Sequence, residues 1–132
     1  MIRSILTICA ALCALCASFN VFADCNVDLK SDPLTWASSA AIAADWGTTL
    51  HGTKLRNKGY DFYEDSLIAR KVIGRYPTEG RVHAYFAGIM ASSLLSRCFL
   101  PERYSDIVAV YFVVEHSSKA WQNHQIGLNI RF

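Results

Sequence analysis

The sequence predicts an all-α protein of the membrane. It is a small bundle of three spanning helices behind an N-terminal signal peptide, or four spans if that leader stays uncut as an anchor. Three observations predict it. The chain opens on a basic start followed by an apolar run; three later segments are apolar over roughly the length of a span; and the basic residues cluster between the first two of them. Composition agrees, since 52% of the 132 residues are hydrophobic and only 18% are charged, against about 25% charged in ordinary soluble domains. A chain of this length makes one domain, and a net charge of +2 is too small to imply a nucleic-acid partner.

Residues 1–23 form the leader. Met1-Ile2-Arg3 is basic, Ile5 to Ala17 is apolar, and Val21 and Ala23 place small residues at the −3 and −1 positions of a cleavage site. Cut there, the mature chain is a single helical membrane domain, residues 24–132. Cys9, Cys13 and Cys16 leave with the leader, so Cys25 and Cys98 remain as an even pair. In an exported chain they are expected to form a disulfide, with two separate thiols as the alternative.

Asp32-Pro33 supplies an N-cap and a proline at the first helical position. The Ala-rich helix that follows runs to Leu55 with Asp45 as its lone interior carboxylate. Ala40 with Ala44, and Ala43 with Gly47, give the four-residue small spacing that lets helices approach closely in lipid. Ala is also the best helix former in any solvent.

Between Lys54 and Arg81 the chain turns basic and is punctuated by Gly59, Gly74, Pro77 and Gly80. Within it, Tyr63 to Ile73 fits a short amphipathic helix, either on a membrane surface or solvated. Val82 to Leu100 is the best single span, with His83 and Arg97 at its ends expected to snorkel. Its small ladder, Ala84, Gly88, Ser92 and Ser96, is expected to pack on the small face of the first helix. Tyr104 to Trp121 holds the apolar run Ile107–Val114; Glu115 and Lys119 at helical spacing favour helix over strand there. The tail from Ile126 alternates and fits a short strand, an extended arm or a disordered end.

With residue 24 exported, the three spans place the Lys54–Arg81 loop and the C-terminus inside. Lys54, Arg56, Lys58, Arg70, Lys71, Arg75, Arg81, Lys119 and Arg131 are then cytoplasmic, against Lys30, Arg97 and Arg103 outside. That is the positive-inside pattern of a bacterial inner-membrane protein, and it leaves Cys25 and Cys98 together on the oxidising side. An exported periplasmic domain is the alternative location. Asp45 lies twelve residues in from Pro33 and Glu115 twelve in from Arg103, each about 18 Å from the outer surface. Asp45, Thr49, His83 and Glu115 are therefore expected to converge as a polar intramembrane cluster. Such a carboxylate costs at least about 2.5–3.5 kcal/mol unless protonated, partnered or wetted. The cluster reads as a proton, ion or metal site, or as hydrogen-bonded glue between helices.

A second set of residues carries a resemblance. Asp45-Trp46-Gly47-Thr48-Thr49, Glu64 to Arg70, Ile73-Gly74-Arg75-Tyr76-Pro77 and Tyr85-Phe86 resemble a pattern of small uncharacterised bacterial and phage multi-helix membrane proteins. In these an Asp-x-x-(Gln/Thr)-Thr helix precedes a Glu-x-(Asn/Gly)-Pro loop and a Gly-x-x-Pro turn. The resemblance covers roughly residues 42–90, with Ser66-Leu67 where the pattern has Asn-Pro. It implies a multi-helix membrane protein and marks Glu64, Arg70, Gly74 and Pro77 as a loop motif; it implies no activity.

No dinucleotide or P-loop glycine motif, zinc-protease helix, CxxC pair or nucleophile elbow occurs. No catalytic, cofactor-binding or metal-ligating residue is assigned. His51, His83, His116 and His124 are scattered, and the adjacent Glu115 and His116 point in different directions on a helix. The expected function is an accessory or structural component that binds the bilayer and a partner protein, or a second copy through the small-residue faces. An exported helical binding protein stapled by a disulfide is one alternative, and a proton- or ion-linked membrane protein is another.

Overall fold

The computed structural model describes residues 28–132 apart from Lys30 and Asp65. The leader, its cleavage site and Cys25 lie outside the described residues. Four helices follow in order: α1 Pro33–Arg56, α2 Leu67–Ile73, α3 Glu79–Phe99 and α4 Glu102–Gln125. The fold is all-α, as the periodicities predict. No strand occurs among the described residues.

The first three helices begin at a side-chain cap, and α4 begins after Pro101 without one. The Asp32 carboxylate accepts from the Thr35 amide at 2.8 Å and from its hydroxyl, with Pro33 at the first helical position. The Ser66 and Thr78 hydroxyls accept from the Ala69 and Arg81 amides. α2 ends at Gly74, whose φ of 89° lies in the region that favours glycine and whose N–H closes on Arg70 O. Only Leu100 and Pro101 separate α3 from α4, so those helices run antiparallel.

α1 is the axis of the fold. Twelve of its 24 residues are buried, whereas α4, of equal length, buries only Ser105, Ala109 and His116. α1 packs most extensively on α4 and then on α3, with a looser seam between α3 and α4. An apolar core joins Ile42 and Leu50 of α1 to Ala69 and Ile73 of α2 and Val82 and Phe86 of α3. Near its start α1 is tied to the other two helices by Arg97. The Arg97 guanidinium lies 2.9 Å from Asp32, donates to Ser105 Oγ at 2.8 Å and pairs with Asp106. Arg97 is therefore buried at a three-helix junction, where the sequence reading has it snorkelling outward. Beside it Cys98 is also buried.

The rest of the interior is unusually polar. Thr35, Ser38, Asp45, Thr48, Thr49, His51, Thr53, Ser93, Ser105 and His116 are buried. Outside, Leu95, Phe99, Ile107, Val110, Val114 and, on α2, Leu67, Ile68 and Val72 are exposed. No exposed residue of α1, of α3 from His83 onward, or of α4 between Tyr104 and Trp121 is Asp, Glu, Lys or Arg. Exposed aromatic rings mark both ends of this uncharged zone: Trp36, Phe99 and Tyr104 at one, Tyr60, Tyr63, Tyr76 and Trp121 at the other.

Among the described residues no helix is long and apolar enough to cross a membrane. The shortfall is not one of reach, since helices of 21 and 24 residues extend about 31–36 Å and a hydrocarbon core is about 30 Å thick. It comes from polar side chains both inside, as Ser38, Thr48, Thr49, Ser93, Arg97 and His116, and outside, as His83, Ser92, Ser117, Ser118 and Gln122.

Two packing expectations are corrected. The ladder on α3 faces outward: Ala84, Gly88 and Ser92 are exposed, and a Cβ at Gly88 would meet nothing within 4 Å. The inward face is Val82, Phe86, Ser93 and Arg97, and Ser93 Oγ donates to Ser38 Oγ of α1 at 3.3 Å. On α1, Gly47 admits no helix. It admits the C-terminal tail, which turns at Gly127 and returns along α1 as an extended arm. Arg131 N donates to Gly47 O, Ile130 lies over Gly47, and Phe132 meets Trp46 edge-on. His51 Nδ1 holds the same arm by accepting from the Asn129 amide at 2.9 Å.

Candidate functional site

Asp45 lies at the middle of α1, with Thr48 and Thr49 one turn on. Thr48 Oγ1 donates back to Asp45 O at 3.0 Å, and Thr49 Oγ1 lies 3.4 Å from Asp45 Oδ1. The i+3 and i+4 spacing that puts these hydroxyls beside the acid is the ordinary helix geometry. The carboxylate's principal partner comes from α4: His116 Nδ1 shares a 2.7 Å hydrogen bond with Asp45 Oδ2. Both side chains are buried. Phe112 stacks near the imidazole at 5.9 Å and Phe86 lies tilted at 6.0 Å, which fixes the ring plane. One turn further along, Asn123 Nδ2 donates to Thr48 Oγ1 at 3.0 Å, a second polar tie between α1 and α4.

This pair forms part of the wall of a cavity of about 520 Å³ between α1, α3 and α4, overhung by the 61–66 loop and the start of α2. Glu64, Tyr85, Tyr111, Glu115 and Lys119 line it as well. The Tyr85 phenol lies among the charges of Asp45, Glu64 and Glu115. Glu64 is positioned by its own loop: its carboxylate accepts from the Ser66 amide at 2.9 Å, and its N–H donates to Arg75 O at 2.8 Å. The Arg75 guanidinium in turn sits 5.0 Å from the Tyr63 ring. Gly52 brings the loop in, because Phe62 occupies the space a Cβ would take there.

The sequence-predicted residues thus separate. Asp45, Thr49 and Glu115 meet at the cavity. His83 does not: it is exposed, in edge contact with Trp46 at 5.5 Å. From the loop motif Glu64 reaches the cavity, Gly74 and a buried Pro77 shape the turn into α3, and Arg70 is exposed on α2. Cys25 lies outside the described residues. His116 was missed although the chain marks the level of Glu115, its neighbour, as the one facing Asp45. Among the described residues no group of three His, Cys, Asp or Glu is placed to hold a metal ion.

No known protein family, curated protein or solved structure matches this chain.

At the start of α1, burial alone would raise the Asp32 pKa. The Thr35 hydroxyl and amide and the Arg97 guanidinium outweigh it, and the carboxyl is held below the ordinary carboxylate value. Chemically, the two carboxylate sites differ. Asp32 and Arg97 form a closed structural tie, whereas Asp45 and His116 sit beside space. A buried carboxylate hydrogen-bonded to Nδ1 fixes the imidazole tautomer and leaves Nε2 to meet a ligand or a proton.

Proposed function

We propose that this chain is a small integral protein of the bacterial inner membrane that works by binding. Three helices, α1, α3 and α4, cross the bilayer, with the 57–78 connection and the end of α4 on the cytoplasmic side; from there the tail turns back along α1 and brings Arg131 and Phe132 to the level of Gly47 and Trp46. The observation that carries the reading is the uncharged middle zone of the three long helices: no exposed helix residue there is charged, and Leu95, Ile107, Val110 and Val114 face outward while Ser38, Asp45, Thr48, Thr49, Ser93 and His116 are buried between the helices. Water would not select that distribution, because burying Thr, Ser, Asp and His while exposing Ile, Val and Leu inverts the hydrophobic gain. Lipid would, because apolar side chains cost nothing against acyl chains while polar ones gain partners between helices. The aromatic rings at both ends of the uncharged zone match interfacial belts, and the basic 54–81 interval fits the cytoplasmic side. A Cys25–Cys98 disulfide on the outer side fits the same orientation, as does the resemblance to small multi-helix membrane proteins.

Within that frame the Asp45–His116 pair and its cavity form a binding centre able to hold a proton or a ligand in the inner half of the bundle. The outward Ala84–Gly88–Ser92 face is the surface offered to a partner protein or second copy. Carbonate extraction of membranes from cells expressing the full chain is the test. Retention in the pellet is expected; quantitative release would remove the membrane reading. A second reading, an exported helical binding protein of the periplasm, is favoured by the absence of a described helix apolar enough to span, and release is the outcome it requires.

A further inference from the structure

The proposed binding centre has a sign and a wall chemistry, and together they narrow what it takes. Among the described residues four carboxylates border the cavity, Asp45, Asp61, Glu64 and Glu115, against one ammonium, Lys119. Asp45 is engaged by His116, and Glu64 accepts from the Ser66 amide. Glu115 is half-buried and makes no hydrogen bond or ion pair among the described residues, even with Lys119 one turn away on the same helix. A partly desolvated carboxylate of this kind is stabilised by a cation that arrives from outside. Aromatic rings make up much of the remaining wall, with Tyr85, Tyr111 and Phe112 bordering the same space beside Ile89 and Ile126. Aromatic faces attract a cation whose charge is spread over alkyl groups, and they do not coordinate a bare metal ion. The volume of about 520 Å³ lies within the range of about 300–1,000 Å³ that small-molecule sites occupy.

We propose that this cavity binds a small organic cation, an alkyl- or aryl-ammonium compound, with Glu115 as its principal counter-charge and the Tyr85, Tyr111 and Phe112 rings as its apolar cradle. The proposal rests on the cavity being a binding centre and adds the ligand class. An anion or a neutral ligand would meet the unpaired carboxylate with no gain.

Titration calorimetry of the full chain in lipid nanodiscs tests it, with empty nanodiscs subtracted. The probes are phenyltrimethylammonium, its neutral isostere tert-butylbenzene, and benzenesulfonate. The cation is expected to bind, the other two to bind at least about tenfold more weakly, and Glu115→Gln to weaken the cation by about tenfold or more at unchanged helicity. Equal binding of cation and isostere would make the cavity merely apolar and overturn the proposal. So would preference for the sulfonate, absence of any binding, or a Glu115→Gln variant that binds the cation as before. Tyr111→Leu provides a second arm, expected to weaken the cation more than the isostere; an equal effect on both counts against the aromatic cradle. Carbonate extraction of membranes from cells expressing the same chain keeps the two claims apart. A chain that stays in the membrane and binds no cation fails here alone, while one that is released fails the membrane reading whatever it binds.

Discussion

His116 Nδ1 lies 2.7 Å from Asp45 Oδ2, a hydrogen bond that crosses from α4 to α1 with both side chains buried. Removing one member leaves the other desolvated and unpaired, which in buried pairs costs about 3–5 kcal/mol. His116→Ala is expected to lower stability by that amount. Asp45→Asn keeps a polar partner for the imidazole and is expected to cost about 1–2 kcal/mol. Denaturation of the purified variants in mild detergent, arranged as a double-mutant cycle, checks both. Additive single effects would mean that the two side chains are not coupled.

The Asp32 tie to Arg97 predicts an acid dependence with a definite sign. The folded carboxyl is held below its ordinary value of 3.8, so its contribution is fully present above that value. It is lost as pH falls from there through the depressed folded value, because the unfolded chain takes up the proton first. The midpoint of denaturation is expected to fall over this interval in the wild type and to stay flatter in Asp32→Asn. Identical profiles would detach Asp32 from the acid response.

Three glycines in helices predict three different outcomes for the same substitution. At Gly52 a Cβ would lie 2.4–2.6 Å from the Phe62 ring, so Gly52→Ala is expected to cost about 1–3 kcal/mol by overpacking. At Gly47 it would meet Ile130 at 2.7 Å, a side chain of the tail that can shift, so the cost is smaller. Gly88 faces open space, and Gly88→Ala is expected to stabilise the isolated chain by up to about 1 kcal/mol through helix propensity. Melting temperatures of the three variants rank the sites; destabilisation by Gly88→Ala would show a neighbour packed against α3.

The tail arm predicts a pattern of amide protection. The Asn129 and Arg131 amides donate to His51 Nδ1 and Gly47 O. Both are expected to exchange with solvent more slowly than that of Ile130, and His51→Ala is expected to release Asn129. Uniformly fast exchange across residues 128–132 would mean that the arm does not stay docked.

The presence of the helices was legible in the sequence, with Asp32-Pro33 and Pro101 marking two boundaries; the caps Ser66 and Thr78 went unread, and the helices they start lie a few residues from where the apolar pattern puts them. Facing was less so. Counting twelve residues in from Pro33 and from Arg103 puts Asp45 level with Glu115, and the structure pairs it with the next residue. A one-residue step moves the chain only about 1.5 Å along the axis but turns the side chain by about 100°. The same weakness hid the direction of the Ala84–Ser92 ladder: small residues mark a face, and nothing in their spacing says toward what. Arg97 was expected outside because a lone arginine at a helix end ordinarily snorkels. Its burial depends on Asp32 and Asp106, one 65 residues away in the chain, which no local pattern connects. Gly47 gave a true signal of close approach and no clue that the visitor was the tail.

The most direct test of the membrane account is a nitroxide at Val110, an exposed residue in the uncharged zone of α4. With Val110→Cys labelled and the chain reconstituted in bilayers, electron paramagnetic resonance reads collision with oxygen against collision with a water-soluble nickel chelate. High oxygen and low nickel accessibility is the expected result, as for a side chain in acyl chains. Free access of the nickel chelate at Val110 would place this face in water and contradict the account.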